Sequence, residues 1–266
     1  MEVESTAEPA RKKWWLYITA ALSILFTIYY TVMAVLSSSA KISEINREFG
    51  YKPTETTSLD GRIFTDSAFV RLNRDKAYYQ SRIIIAGTDS ISLALNLDDS
   101  TAILEINGVT VHTARLLRMR IPGVLYRADE YAISAMLSVP FTISDNHATI
   151  KKEPLLLKIA PKDTSEYKPD IVPDTTNSAA VNYMMEMDNG FRLYVYQDTG
   201  DDTGGALNRL SFDLADRFSN IWNIIKNIAV LKVPEYHPSI RLRMKKEDAR
   251  ILYRALPAHG QMALCR

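Results

Sequence analysis

The stretch WWLYITAALSILFTIYYTVMAVL (Trp14–Leu36) runs for 23 residues without a charge. A helix rises about 1.5 Å per residue, so this stretch would reach roughly 34 Å, enough to cross a hydrocarbon core of about 30 Å. The sequence therefore predicts one transmembrane helix, which anchors the rest of the chain to a membrane.

Charges on the two sides of this stretch predict its orientation. The basic run 11–13 directly precedes it, whereas the first charge after it is Lys41. Because basic residues accumulate on the cytoplasmic side of a span, residues 1–13 are expected to form a cytoplasmic tail. Residues 37–62 would then be a connector, and residues 63–266 a domain on the opposite side of the membrane.

The single cysteine, Cys265, bears on the compartment. An exported domain without disulfides suits a Gram-negative periplasm better than a eukaryotic secretory lumen, so we expect an inner-membrane protein with a periplasmic domain. The alternative is a signal peptide cleaved after Ala40, because residues 38–40 are small. The apolar run exceeds the roughly 7–15 residues of a signal-peptide core, which favours a retained anchor.

Composition and motifs exclude several classes of function. The net charge of +1 argues against a nucleic-acid partner, since nucleic-acid-binding domains usually carry a large basic excess. The sequence lacks the nucleotide-binding glycine motifs and the paired His or Cys motifs of zinc sites, so we predict no cofactor and no metal. The acidic loop 197–206 matches no EF-hand spacing and is expected to be a solvated loop.

The four histidines are dispersed along the chain. His112 lies within a predicted strand and is expected to have a structural or surface role. His147 and His259 are interpreted as turn residues, the second immediately before Gly260.

Two hairpins dominate the predicted domain. TAILEI (101–106) and VTVHTA (109–114) flank Asn107-Gly108, the dipeptide that favours a tight type I′ turn. A second hairpin is predicted from YMMEM (183–187) and FRLYVY (191–196). Apolar runs predict further strands, at 82–86, 90–96, 140–144, 154–160 and 261–265.

Helical periodicity is confined to a few segments. Residues 65–80, 207–231 and 245–256 are predicted helices, residues 126–137 are helical or mixed, and the anchor helix is expected to continue as far as Gly50. Residues 161–180, rich in Pro, Asp and Thr, are expected to form a long surface excursion. Without βαβ alternation, the predicted class is α+β, a mainly antiparallel sheet with two or three helices.

The segment YHPSIRLRMKKEDARILYRALPAHGQMALCR (236–266) runs as loop, apolar stretch, helix with an acidic start, turn and strand. It resembles the C-terminal end of the YkuD-type L,D-transpeptidases, which cross-link peptidoglycan. That family carries a Ser/Thr-His-Gly-Cys stretch followed by an apolar residue and Arg. His237, Ile240 and Arg241 match this pattern, and Ser239 stands at the position of the catalytic cysteine.

A second resemblance lies upstream. NGFRLYV (189–195) is similar to the family's strand that ends in the catalytic histidine, but Tyr194 stands at that position. A serine requires a positioned general base, so the resemblance implies that the nucleophile and its base are both changed. Ser239, His237, Arg241 and Tyr194 are therefore only candidate catalytic residues.

These observations favour a binding protein over an enzyme. The leading hypothesis is a catalytically silent L,D-transpeptidase-like domain, anchored in the membrane, that contacts peptidoglycan or other envelope proteins. One alternative is a subunit of an envelope-spanning secretion or division assembly. The other is an active transpeptidase or hydrolase that uses Ser239.

Overall fold

The computed structural model describes residues 11–52, 66–152, 180–198, 209–214 and 233–266, with side chains from Trp14 onward. The predicted strand 154–160 and nearly all of the predicted excursion 161–180 lie outside these residues. So do most of the acidic loop and most of the predicted helix 207–231, of which residues 209–214 are described and helical.

The first helix, α1, spans Arg11–Phe49 without interruption. It is the one helix in the described part of the chain that is long and apolar enough to cross a membrane, and its most apolar 18-residue window has no buried residue. The predicted extension as far as Gly50 is confirmed. A Cβ at Gly50 would lie 2.1 Å from the carbonyl oxygen of Asn46, so only glycine fits where this helix ends.

The C-terminal part of α1 belongs to the folded domain. Ile45 is buried in the main hydrophobic core, and Ile42 and Phe49 pack against that core. Ser37 is also buried, and its hydroxyl donates to the carbonyl oxygen of Pro234. The predicted connector therefore begins as helix packed on the domain.

The described residues contribute nine strands to one sheet, which confirms the predicted α+β class with a mostly antiparallel sheet. The strands are β1 (Ile91–Asn96), β2 (Thr101–Ile106), β3 (Val109–Arg115), β4 (Arg118–Arg120), β5 (Phe141–Ala148), β6 (Asn182–Met187), β7 (Arg192–Gln197), β8 (Ser239–Met244) and β9 (Gln261–Cys265). Their spatial order is β3-β2-β1-β9-β5-β6-β7-β8-β4. β5 joins the two halves, because its start pairs with β9 and the remainder pairs with β6.

Both predicted hairpins are confirmed. β2 and β3 are antiparallel, and their turn has positive φ at Asn107 (50°) and Gly108 (77°), the conformation expected of a type I′ turn. β6 and β7 form the second hairpin. Two parallel pairs, β1–β9 and β7–β8, were not expected from the sequence.

The helices agree less well with the sequence-based prediction than the strands do. Beyond α1, the described residues contain α2 (Ser67–Ala86), α3 (Val124–Arg127), α4 (Glu130–Leu137), α5 (Lys246–Ala255) and the helical residues 209–214. The predicted number of two or three helices was therefore too low. α3 is a single turn, too short to produce a periodic pattern.

The strand predicted for 82–86 was wrong, because these residues are the last turn of α2. Isoleucine-rich runs favour strands, but here tertiary packing decides. Tyr78, Ser81 and Ile85 are buried at helical spacing, whereas Ile83 and Ile84 are exposed. α2 packs on β9 and α4, and Ile85 contacts the small side chains of the sheet beneath it.

The main core lies against the other face of the sheet. β8 shows the pattern most clearly: Ile240, Leu242 and Met244 are each 1% exposed, whereas Ser239, Arg241 and Arg243 on the opposite face are partly exposed. Leu252 of α5 and Leu193 of β7 belong to the same core. The polar face of β8 does not contribute to this core and is partly accessible to solvent.

Candidate functional site

Arginines concentrate on one face of the sheet near its β4 edge. Strand alternation places Arg241 and Arg243 of β8 on the same face. β4 runs antiparallel to β8, with Arg118 opposite Arg243 and Arg120 opposite Arg241. Two pairs of like charges therefore face each other directly across adjacent strands, an arrangement that destabilises a sheet.

In the described parts of the chain, no carboxylate is paired directly with these arginines. Within the described residues, no Asp or Glu forms an ion pair with any of Arg118, Arg120, Arg209, Arg241 and Arg243. Direct ion pairs within those parts of the protein therefore do not offset the repulsion between them. A bound anion would relieve it.

The adjacent strand β7 contributes two tyrosines to the same face of the sheet. The rings of Tyr194 and Tyr196 are nearly parallel, with centroids 6.3 Å apart, and Phe212 packs edge-on against Tyr196. The guanidinium carbon of Arg241 lies 5.4 Å from the ring centroid of Tyr194, and that of Arg209 lies 5.9 Å from the ring of Tyr196. Such cation–π contacts orient the guanidinium groups while leaving their N–H donors available.

One carboxylate of the described residues, that of Asp213, lines the site. Tyr196 donates a 2.7 Å hydrogen bond from its hydroxyl to Oδ1 of Asp213. Burial raises the pKa of Tyr196, and the hydrogen bond to Asp213 raises it further, so the phenol stays protonated and remains the donor. Asp213 is thereby held by Tyr196 at the edge of the arginine cluster.

Together these groups line a cleft of about 300 Å³, which we name the arginine cleft. Its lining residues are Arg118, Met119, Arg120, Tyr196, Arg209, Asp213, Arg241 and Arg243. Among the described lining residues, five arginines and one aspartate give a net charge of +4. Planar guanidinium groups bind carboxylate and phosphate oxygens in bidentate fashion, so the cleft is suited to a ligand with several negative charges.

The four residues predicted from the transpeptidase resemblance lie on or beside this face. Arg241 lines the cleft, and Tyr194 lies beneath its guanidinium group. Ser239 begins β8 on the same face and is paired with Arg192. His237 lies just before β8, with Nδ1 3.2 Å from the carbonyl oxygen of Gly190 and 3.7 Å from Oε1 of Glu186.

This placement does not form a nucleophile–base pair around Tyr194. A phenol stands where the resemblance expects an imidazole, and its ring contacts Tyr196 and the guanidinium group of Arg241. Glu186, the acidic neighbour of His237, also binds Arg192 over 3.0 Å. Chemically, the face is equipped to hold an anion.

The sequence contained a signal for this site that was missed. Arg-Met-Arg (118–120) and Arg-Leu-Arg (241–243) are Arg-x-Arg triplets, and a strand places both arginines of such a triplet on one face. The pairing of the two triplets could not be foreseen, because they are more than a hundred residues apart.

The remaining histidines occupy structural positions. His112 Nε2 lies 3.1 Å from Asp248 Oδ1 on α5, consistent with the predicted structural or surface role. The interpretation of His147 as a turn residue was wrong, because it lies in β5 opposite Met184 and stacks on Phe212. His259 lies in the turn before β9, as predicted. The part of the chain that the structure describes has no group of three or more His, Cys, Asp or Glu residues suited to a metal ion.

Comparisons of the chain with protein-family models, curated proteins and solved structures give no significant match.

Proposed function

We propose that the protein is a membrane-anchored binding protein of the bacterial envelope, which holds an anionic ligand in the arginine cleft. In this proposal α1 spans the inner membrane with its N-terminus in the cytoplasm, and the α+β domain lies in the periplasm. The orientation is supported by the basic run that precedes the span.

The observation that carries the binding function is the pairing of Arg118 with Arg243 and of Arg120 with Arg241. Like charges directly opposite each other lower the stability of a sheet, whereas a ligand that bridges them gains charge-assisted hydrogen bonds. Such a site favours ligands with two or more carboxylate or phosphate groups. Peptidoglycan, whose stem peptides carry carboxylates, is the ligand that the transpeptidase resemblance suggests first.

The test is co-sedimentation of the full-length protein, in nonionic detergent, with purified peptidoglycan sacculi. The variant Arg118→Gln/Arg120→Gln removes two exposed charges from the cleft without disturbing the buried face of β8. We expect at least a tenfold loss of affinity. The matched control is Arg71→Gln/Arg115→Gln, which removes two exposed arginines elsewhere and should bind normally.

Salt provides a second criterion. Binding through exposed guanidinium groups should weaken as the ionic strength rises from about 0.05 to 0.5 M, because the Debye length falls to a few ångströms. Equal binding by the cleft variant and the control would reject the arginine cleft as the binding site. Binding of a soluble polyphosphate but not of sacculi would keep the anion site and replace peptidoglycan as its ligand.

An active enzyme that uses Ser239 is distinguished by its products. Suppose that deletion of the gene removes transpeptidase-type cross-links from peptidoglycan, and that the wild-type gene but not Ser239→Ala restores them. That result would overturn the interpretation that the domain is catalytically silent. We expect the Ser239→Ala protein to behave as wild type, because Tyr194 supplies no imidazole base.

The second candidate function is that of a subunit in an envelope-spanning assembly. The observation in its favour is an exposed apolar surface formed by Ile83 and Ile84 of α2 together with Val139. A photo-crosslinking amino acid at Ile83 should capture one stoichiometric envelope protein in cells if this function is correct. The same probe at Val109, which is similarly exposed on the far hairpin, is the control.

A further inference from the structure

A groove lies between α1 and α3 at the level where the apolar stretch ends. On α1 it is lined by Thr31, Ala34 and Val35, which belong to that stretch, and by Ser38 and Ile42 beyond it. The domain contributes Gly123, Val124, Arg127 and Tyr236, and the volume is about 390 Å³. The groove thus continues from the apolar part of α1 onto the domain.

The helix side of this groove offers no free hydroxyl donor. Thr31 donates its hydroxyl hydrogen to the carbonyl oxygen of Thr27 over 2.8 Å, and Ser38 donates to that of Val35 over 2.9 Å. Satisfied hydroxyls leave a surface of methyl and methylene groups, which suits a hydrocarbon chain. The hydrogen bond between Ser37 and Pro234 holds the segment that carries Tyr236 against the helix.

Arg127 provides the one charge among the described residues that line the groove. Its side chain is exposed, forms no ion pair with a carboxylate in the described chain, and lies over Gly123, where a Cβ would be 3.9 Å from Nε. Thr31 is five residues before the end of the apolar stretch, about 7.5 Å along the helix axis. Ile42, at the other end of the lining, is six residues beyond that stretch, about 9 Å along the axis, so the groove crosses the level of the bilayer surface if α1 spans the bilayer.

We infer that this groove binds one anionic glycerophospholipid, with an acyl chain against Thr31, Ala34 and Val35 and the phosphate on the guanidinium group of Arg127. Continuity with the apolar span accounts for the acyl chain, and charge complementarity accounts for the headgroup. Arg120 of the arginine cleft lies only three residues before Gly123, which lines the groove. The positive electrostatic potential of the cleft therefore favours headgroups with net negative charge. The lipid site rests on the proposed insertion of α1 into the membrane.

The experiment uses the full-length protein extracted from nanodiscs that contain phosphatidylcholine and 20% phosphatidylglycerol. Native mass spectrometry counts the lipids that remain bound. We expect one phosphatidylglycerol per chain, and at least a tenfold lower occupancy in Arg127→Gln. Arg115→Gln removes an exposed arginine on β3 and should retain the lipid.

A second pair of variants tests the acyl part of the site. Val35→Trp fills the groove, whereas Val32→Trp places the same ring on an exposed position of α1 outside the lining set. We expect only Val35→Trp to lose the lipid. Soluble glycerol phosphate should not compete, because it lacks the chain; displacement by glycerol phosphate would replace the lipid site with a phosphate site.

Unchanged occupancy in both Arg127→Gln and Val35→Trp would mean annular lipid only and would overturn the proposal. Equal losses in the variants and their controls would overturn it as well. Alkaline carbonate extraction separates this failure from that of the proposed function. Release of the protein by carbonate would reject the span itself, whereas a retained protein without bound phosphatidylglycerol rejects only the lipid site.

Discussion

Ser37 Oγ donates a 2.7 Å hydrogen bond to the carbonyl oxygen of Pro234, which joins two positions 197 residues apart. Both residues are buried. The bond fixes the first turn beyond the apolar stretch to the segment that leads into β8. It therefore connects the candidate membrane span to the strand that carries Arg241 and Arg243.

Removal of this hydroxyl should destabilise the domain. In Ser37→Ala the buried carbonyl oxygen of Pro234 loses its donor, and we expect a loss of about 1–2 kcal/mol in the free energy of unfolding. Guanidinium unfolding in detergent, followed by tyrosine and tryptophan fluorescence, provides the measurement. Ser39→Ala, at an exposed position of the same helix, should change stability by less than about 0.5 kcal/mol. Equal effects of the two variants would contradict this role of the Ser37 hydrogen bond.

Glu105 should be a stability determinant of the β2 region. It is only 2% exposed, and Arg82 of α2 donates to both of its carboxylate oxygens. The substitution Glu105→Ala removes the carboxylate that pairs with Arg82. We expect a loss of about 3 kcal/mol in the free energy of unfolding. The pair Lys41–Glu44 is the control, because the Glu44 side chain is 47% exposed and Glu44→Ala should cost less than about 1 kcal/mol. A small effect of Glu105→Ala would mean that Arg82 finds other partners.

Stability should decline in alkaline solution. Burial, together with the nearby Asp98 and Asp75, raises the pKa of the Cys265 thiol from 9.0 to about 11. Because the folded protein holds this proton more tightly than the unfolded chain does, its contribution is complete below pH 9 and is lost between about pH 9 and 11. Unfolding midpoints across this range should therefore fall with pH.

The variant Cys265→Ala tests the assignment, because it should show a shallower decline over the same interval. A residual slope is expected at higher pH from Tyr78, whose pKa is raised to about 12, mainly by burial. Thiolate absorbance provides an independent titration of Cys265. A thiol that titrates near pH 9 in the folded protein would contradict the prediction.

Asp213 should weaken anion binding in the arginine cleft. Its carboxylate is the one negative charge among the described residues that line the cleft, and it accepts the hydrogen bond of Tyr196. Asp213→Asn retains an acceptor for the phenol and removes the charge, so the affinity for a polyanion should rise about 2- to 10-fold at low salt. Asp98→Asn, on an exposed turn after β1, should leave affinity unchanged. A fall in affinity would instead assign Asp213 a positioning role.

Local signals in the sequence account for the elements that were predicted correctly. Asn107 and Gly108 tolerate positive φ, so the turn of the β2–β3 hairpin is encoded in two residues. The end of α1 is similarly local, since Gly50 leaves room for the carbonyl oxygen of Asn46. The acidic first turn of α5, with Glu247 and Asp248, marks its start.

Elements that depend on distant partners were not predicted. Residues 82–86 have strand propensity but continue α2, because Ser81 and Ile85 are buried at helical spacing. β4 has only three residues and is a strand through its pairing with β8. The arginine cleft requires that pairing and the parallel β7–β8 contact, neither of which leaves a mark in the local sequence.

The unbroken course of α1 has a mechanical consequence. Because α1 is a single helix, a change in the tilt of its apolar part also moves its C-terminal part. The 13 residues from Ser37 to Phe49 extend about 20 Å beyond the apolar stretch. If the helix changed its tilt in a bilayer by about 20°, Phe49 would be displaced by roughly 7 Å. The domain would rotate together with the helix. Bilayer thickness, or contact with the transmembrane helix of another protein, would then change the orientation of the arginine cleft.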